Sequence, residues 1–459
     1  MHLFAPDDPR PIHFMGIAGA GMSALALIAL RRGVPVTGCD THPAAAEDLA
    51  RAGAQITEGH DASHVTGSRA VVYTAAIPRG HAELEAASAA GVALVPRAEA
   101  LAQIVAPGRV VAVAGTHGKT TTTAMVADAL AAAGVDPTAL VGGRVAAWQG
   151  NARLGGDDVF VVEADEYDRA FLKLHPTVAL VGNVEADHLE CYGSVEALQE
   201  AFVEFAGRAE RAVVGVDDAG ASRLARALQV PTWRVGLAEG ADIRLSDVRR
   251  EQDASVATLS LPDGRAVQLR LGVPGLHNLR NAAMAVAAVL ALDADLERAL
   301  DGLAGFRGVG RRFEVLGATD GVTVVDDYAH HPSEVAATLA AARQRYPAAR
   351  LVVAFQPHLY SRTKALGEAM GIALAMADVA VVTDVYAARE EPLRGVTGKI
   401  VAKAARRAGV KVEWVPKRER LAAKLEQLVG EGDVVLTLGA GDITEVGRDL
   451  LQRLAGRAA

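Results

Sequence analysis

A chain of 459 residues, 51% hydrophobic and 22% charged, has the mass for about three domains and the balance of a soluble globular protein. Its net charge of -8 and the lack of a long basic run argue against nucleic acid as a partner, so acidic ligands must be met by local clusters. Two cysteines without metal-type spacing, Cys39 and Cys191, argue against a disulfide framework and call for no cysteine chemistry. No leader pattern opens the chain, and its longest apolar helical stretch, near 282–292, is too short for a bilayer, so a cytoplasmic protein with no membrane partner is expected.

Residues 11–40 read as strand, glycine turn, helix and strand. The turn is Gly16-Ile17-Ala18-Gly19-Ala20-Gly21, and Asp40 closes the second strand where an acid commonly holds a ribose. The spacing is G-x-x-G-x-G and not G-x-G-x-x-G, so a nicotinamide-dependent oxidoreductase is one reading of this stretch and a weak one. The strand Ala70–Tyr73 runs into Thr74-Ala75-Ala76-Ile77, and Ala106-Pro107-Gly108 reads as a linker.

The apolar run from Val110 ends in Gly115-Thr116-His117-Gly118-Lys119-Thr120-Thr121, followed by strong helix formers. Strand, glycine loop and helix make a phosphate cradle in which Lys119 reaches the β/γ-phosphates and Thr120 ligates Mg²⁺. Val113 stands where the usual motif has its first glycine. Two further apolar runs end in acids: 158–162 leads to Glu163, Asp165, Glu166 and Asp168, and 177–181 leads to Asn183, Glu185, Asp187 and His188. Beyond the carboxyl ends of parallel strands these lie near Lys119, with Glu163 as a Mg²⁺ ligand and His188 as a further one. Solvated turns compete with this reading for Asp165, Glu166 and Asp168. His277 and Asn278 open a helix as caps or as ligand contacts, and Arg307, Arg311 and Arg312 form a glycine-flexed cluster suited to clamping phosphates. In the last third, four apolar strands end in polar loops: Asp326 to Glu334, Gln356 to Thr363, Asp384 to Glu390 and Gly439 to Asp442. Loops of this kind at successive strand ends imply a further Rossmann-like layer with a cleft.

Several of these stretches stand together in the order found in one family. Gly115 to Thr120, Glu163 to Glu166, Asn183 to His188, His277-Asn278 with Asn281, Arg311 to Phe313 and Asp327 to Pro332 resemble the Mur ligases, ATP-dependent amide-bond-forming enzymes of peptidoglycan synthesis. Details at 16–22, 187–192, 355–363 and 384–388 are similar to the alanine-adding branch.

The resemblance implies an α/β protein of three domains. These are an N-terminal Rossmann-like domain for a UDP-sugar over 1–106, a central P-loop-type ATPase domain over 107–313, and a C-terminal Rossmann-like domain for the amino acid over 314–459. It implies UDP-N-acetylmuramate, L-alanine and ATP as ligands, with Mg²⁺ in two sites and Mn²⁺ as a substitute, in a monomer or homodimer. Gly16, Ala18, Gly19, Ala20 and Gly21 then face the UDP pyrophosphate, with Asp40, His60, Ala75, Ala76 and Ile77 near the uridine and ribose. Gly115 to Thr121 and Arg312 meet the triphosphate, with Lys119 and His188 counted among the catalytic residues. Thr120, Glu163 and His188 hold metal, His277, Asn278 and Asn281 lie toward adenine, and Asp327 toward its ribose. Tyr328, His330, His358 and Arg362 form the amino-acid pocket, the last three also catalytic. Leu359 replaces an arginine seen in some members, and no lysine occurs between Lys173 and Lys364 to serve as the carbamylated lysine of several siblings. A tripeptide-adding recycling ligase is the nearest alternative, and a non-catalytic nucleotide-binding regulator the more distant one.

Overall fold

The structure, a computed structural model, describes residues 3–78 and 80–457. Three sheets follow one another along the chain. The first holds β1 (Ile12–Met15), β2 (Val36–Asp40), β3 (Gln55–Glu58), β4 (Ala70–Tyr73) and β5 (Ala93–Pro96) in the order β3-β2-β1-β4-β5, all parallel. Strand order reverses between β1 and β4, so the loops after these two strands flank the crevice where ligands of such sheets gather.

The second sheet comprises β6 (Arg109–Ala114), β7 (Thr138–Val145), β8 (Gly150–Arg153), β9 (Val159–Glu163), β10 (Val178–Val181), β11 (Arg211–Gly215), β12 (Thr232–Gly236), β13 (Ile243–Arg250), β14 (Ser255–Ser260) and β15 (Ala266–Leu271). Its order is β15-β14-β13-β12-β11-β10-β6-β9-β7-β8. Strand β6 lies between β9 and β10, parallel to both. It is buried from Val110 onward, which is why its sequence is an unbroken apolar run instead of an alternation. The third sheet contains β16 (Glu314–Thr319), β17 (Val322–Asp327), β18 (Leu351–Phe355), β19 (Val379–Val382), β20 (Lys411–Trp414) and β21 (Val434–Leu438), ordered β16-β17-β21-β18-β19-β20. Only β16 runs antiparallel.

By packing, the chain forms two compact units. One runs to Ser246 and includes Thr258–Leu269 and Arg280–Gly305; the other comprises Asp247–Ala257, Arg270–Leu279 and the chain from Phe306. In the first unit a single apolar core continues from Ile12 and Phe14 of the first sheet to Phe160 and Val181 of the second. Among the described residues no helix is long and apolar enough to cross a membrane.

Candidate active site

The glycine loop between β6 and the helix Lys119–Ala132 is shaped by two residues with left-handed backbone. Gly115 has φ +132° and Gly118 φ +79°. A Cβ on Gly115 would sit 3.1 Å from the Asn183 carbonyl, and one on Gly118 would sit 3.1 Å from Asn281 Oδ1, so neither position accepts a side chain without strain. The neighbouring loop after β10 staples the turn. The His117 amide donates to Asn183 Oδ1 at 2.7 Å and Asn183 Nδ2 donates back to the His117 carbonyl at 3.1 Å. The Thr116 amide reaches the Asn183 carbonyl at 3.1 Å, while Thr116 Oγ1 accepts from the Glu185 amide at 2.8 Å. No side chain caps the helix that follows, which leaves its first turn to an anion.

Lys119 turns its ammonium onto Glu166, 2.9 and 2.8 Å from the two carboxylate oxygens, and onto the Gly115 carbonyl at 2.7 Å. Glu166 is buried at 2% exposure, and its own carbonyl accepts from the Tyr192 hydroxyl at 2.5 Å. Glu166 is thus no solvated turn but lies against Lys119, because a buried carboxylate needs the cation beside it. Burial works against the Lys119 charge, but Glu166, Asp165 and Glu163 outweigh it and hold the ammonium above the ordinary lysine value. Burial pushes the Glu166 carboxyl upward, with Lys119 opposing and Asp165 adding to the rise. Asp165 itself is 41% exposed and accepts from the Tyr167 amide at 3.1 Å.

Register places Glu163 opposite Val113, at the level where the loop begins. Thr120 Oγ1 donates to its two oxygens at 3.1 and 2.9 Å, and the Gly142 amide donates at 2.6 Å. A hydroxyl and a carboxylate side by side are the hard oxygen donors that suit Mg²⁺. His188 has φ +53° and ring nitrogens 3.7 Å from Asp187 and 3.5 Å from Glu190, with its ring edge-on to Tyr167 at 5.3 Å. Asn281 lies against Gly118. Asn278 does not cap its helix: its Nδ2 donates to the Pro274 carbonyl at 2.7 Å, whereas a cap would accept from an amide. His277 sits beside Gly275, where a Cβ would meet its ring at 2.5 Å.

At the first sheet's switch point the Gly16 and Ile17 amides donate to the Cys39 carbonyl at 2.8 and 3.1 Å, and Gly19 closes the turn onto the Gly16 carbonyl at 3.0 Å. Asp40 faces this loop and accepts from the Ala18 amide at 3.0 Å and the His42 amide at 2.9 Å. Ala75 to Ile77 form the turn after β4, with Ile77 bonded to the Thr74 carbonyl at 3.0 Å. Ala20 carries the loop into the helix Ala20–Arg31, and a Cβ on Gly21 would lie 3.0 Å from Arg97 Nη1. Arg97, also 3.7 Å from Asp165, is a cation that no motif in the sequence announced. His60 points to Glu83 at 3.0 Å.

In the second unit the third sheet's loops bring a row of rings together. Tyr328 and His330 are edge-on at 5.4 Å, His330 and His358 at 5.8 Å, and His358 stacks on Tyr386 at 5.7 Å. Arg362 Nη1 lies 3.4 Å from His358 Nδ1 on the helix Tyr360–Ala373, itself buried at 8% exposure. The four predicted pocket residues are thus neighbours, and Tyr386, which the sequence had only within a motif, joins them. Both arginines at 311 and 312 stand 4.9 Å over the Tyr328 ring. Arg311 bonds Asp326 at 3.2 Å and the Gly439 and Gly441 carbonyls at 2.8 and 3.2 Å. Arg312 also lies 3.9 Å from Glu334. Asp327 accepts from the Phe313 amide at 2.7 Å and the Ala329 amide at 2.8 Å, and burial pushes its carboxyl up to about 6 against the pull of Arg312.

Residues 11–109, 113–289 and 311–441 match, in turn, the Mur ligase family catalytic domain, the Mur ligase middle domain and the Mur ligase glutamate ligase domain. The chain belongs to the Mur ligase family. A UDP-N-acetylmuramate--L-alanine ligase of Salinibacter ruber is 43% identical, over 98% of this chain and 96% of its own length. Among solved structures, a UDP-N-acetylmuramate-alanine ligase of Thermotoga maritima superposes with a TM-score of 0.82 at 30% identity, covering 97% of this chain and 99% of the other. A murein peptide ligase of Psychrobacter arcticus follows at 0.73 and 26%, covering 97% and 99%. The three-domain α/β architecture of this Mur ligase is that of the Thermotoga enzyme.

Proposed function

We propose that this Mur ligase joins L-alanine to the lactyl carboxylate of UDP-N-acetylmuramate at the expense of ATP, in the cytoplasm, as a monomer or homodimer. The observation that carries the reading is the end-to-end 43% identity with a ligase of that name. The carboxylate attacks the γ-phosphorus, ADP leaves, and the alanine amine then displaces phosphate from the acyl phosphate through a tetrahedral intermediate. Catalysis of this kind is mostly positioning and charge neutralisation.

Each part has its residues. Gly16 to Gly21 face the UDP pyrophosphate, with Asp40, His60 and Ala75 to Ile77 toward uridine and ribose. Gly115 to Thr121 take the triphosphate, Lys119 exchanging some of its contact with Glu166 for phosphate oxygens. Thr120 and Glu163 supply oxygen donors for Mg²⁺, or Mn²⁺ in its place, with His188 toward a second ion; a bound cation there neutralises phosphate charge. His277, Asn278 and Asn281 serve adenine, Asp327 the ribose and Arg312 the phosphates. Arg362 takes the alanine carboxylate and His358 assists its amine, with Tyr328 and His330 lining the pocket.

ADP release with UDP-N-acetylmuramate and Mg²⁺ decides among acceptors. L-alanine is expected to support turnover with a kcat/KM at least tenfold above glycine or L-serine, and the tripeptide to support none. Turnover with the tripeptide alone would show a recycling ligase instead.

A further inference from the structure

The first sheet buries a carboxylate that nothing in the ligase reaction uses. Glu83, in the first turn of the helix Ala82–Ala89, is 0% exposed. Among the described residues no lysine or arginine pairs with it; its ionic partners are four histidines, His13, His60, His64 and His81. Cys39, also 0% exposed, and the Asp61 amide, which donates to Oε1 at 3.3 Å, lie beside it. The Cys39 Sγ lies 3.2 Å from Glu83 Oε1. With no guanidinium or ammonium beside it, this buried carboxylate is matched by hydrogen bonds, by protonated imidazole or by a bound cation.

The two carboxylate oxygens face different partners. Oε1 looks toward His64 Nδ1 at 3.0 Å, Cys39 Sγ at 3.2 Å and His13 Nε2 at 4.0 Å, while His13 Nε2 and Cys39 Sγ are 3.4 Å apart. One ligand atom from each of these four residues lies within 4.8 Å of every other. Zinc bonds of about 2.0–2.3 Å to nitrogen, oxygen and sulfur give a tetrahedron with edges of about 3.3–3.8 Å, the range these separations bracket. Supporting contacts already hold the donors. His13 Nδ1 is 3.0 Å from Thr37 Oγ1, which aims Nε2 at the cluster, and Glu83 Oε2 is held by His60 at 3.0 Å with His81 at 3.8 Å.

We propose that His13, Cys39, His64 and Glu83 form a four-coordinate site for a divalent cation of the zinc type. A thiolate and a carboxylate together neutralise its charge, and the ligand set is too soft for Mg²⁺. The four residues come from β1, the end of β2, the turn Ala62–Val65 and the helix Ala82–Ala89, so the cation cross-links one face of the first sheet. Its partly exposed side, His64 at 15% and His60 at 23%, gives the ion a way in. Because the Cys39 carbonyl receives the Gly16 and Ile17 amides, ligation also steadies the glycine loop.

The full chain, stripped with chelator and free of nucleotide, is titrated with Co²⁺ and then Zn²⁺. One equivalent of Co²⁺ is expected to give the thiolate-to-cobalt charge-transfer band and the intense visible bands of four-coordinate cobalt, both abolished by one equivalent of Zn²⁺. Cys39→Ser should remove the charge-transfer band and weaken Zn²⁺ binding at least tenfold, while Cys191→Ser keeps both. Should Cys39→Ser fail to fold, the unaltered protein still decides: Zn²⁺ must slow alkylation of Cys39 at least tenfold by mass spectrometry. Cobalt bound without a thiolate band, or no protection of Cys39, overturns the site and shows a carboxylate held by hydrogen bonds alone. Neither readout depends on turnover.

Discussion

Lys119 and the buried Glu166 make a partly buried pair whose value is revealed by breaking it. Removing the carboxylate in Glu166→Ala leaves an unmatched charge and is expected to cost about 3–5 kcal/mol of stability. Nucleotide triphosphate with Mg²⁺ should then raise the melting temperature more in the variant than in the unaltered protein, because phosphate oxygens replace the lost partner. An equal rise in both would mean that Lys119 does not face the nucleotide. Asp327 supplies a pH effect with a definite sign. Its carboxyl is pushed from 3.8 to about 6, so the folded protein holds the proton more tightly across that interval. Its ionisation therefore lowers stability, fully above pH 6, and the loss is relieved as pH falls toward 4. Carbon-13 NMR of aspartate-labelled protein should show one carboxyl titrating near 6 that vanishes in Asp327→Asn. The stability difference between the two proteins should also shift by about 1 kcal/mol in favour of Asp327 between pH 7 and pH 5.

At the scale of elements, the phosphate loop depends on the loop beside it. Asn183 exchanges two side-chain hydrogen bonds with His117, so Asn183→Ala leaves an amide and a carbonyl short of partners, at about 1–3 kcal/mol. Steady-state kinetics should show the KM for ATP rising at least tenfold with the KM for the UDP-sugar unchanged; a rise in both would contradict a local effect. What the sequence revealed follows the same division. Strand, glycine loop and helix at 109–132 were legible because an apolar run, two glycines and a run of helix formers agree locally. Acids after β9 and β10 were legible as a group, since parallel strands place their ends together. The roles of Glu166, Arg311 and Arg97 were hidden, because burial and pairing depend on residues 47, 15 and 68 positions away in the chain. Asn278 was open to two readings for a simpler reason: the same side chain at a helix start can accept as a cap or donate to a carbonyl, and composition does not distinguish them.

For the molecule as a whole, ligand sites on separate sheets predict separable losses. Lys119→Ala is expected to reduce turnover at least a thousandfold while isothermal titration still finds the UDP-sugar bound within about threefold of its usual affinity, since Lys119 opens the helix that follows β6 of the second sheet. Parallel loss of both would deny that separation. Independent ligand sites do not mean independent bodies, however. Sequence expected a linker at Ala106-Pro107-Gly108, yet a Cβ on Gly108 would meet the Asp157 carbonyl at 2.5 Å and the Phe160 ring at 2.9 Å. The apolar core passes beneath this junction, and Lys173 meets Glu99 across it at 3.1 Å. A protease nick at Pro107 would therefore yield two pieces that travel together through gel filtration. Evolution could shuffle the first domain into another protein only by rebuilding the floor on which it stands.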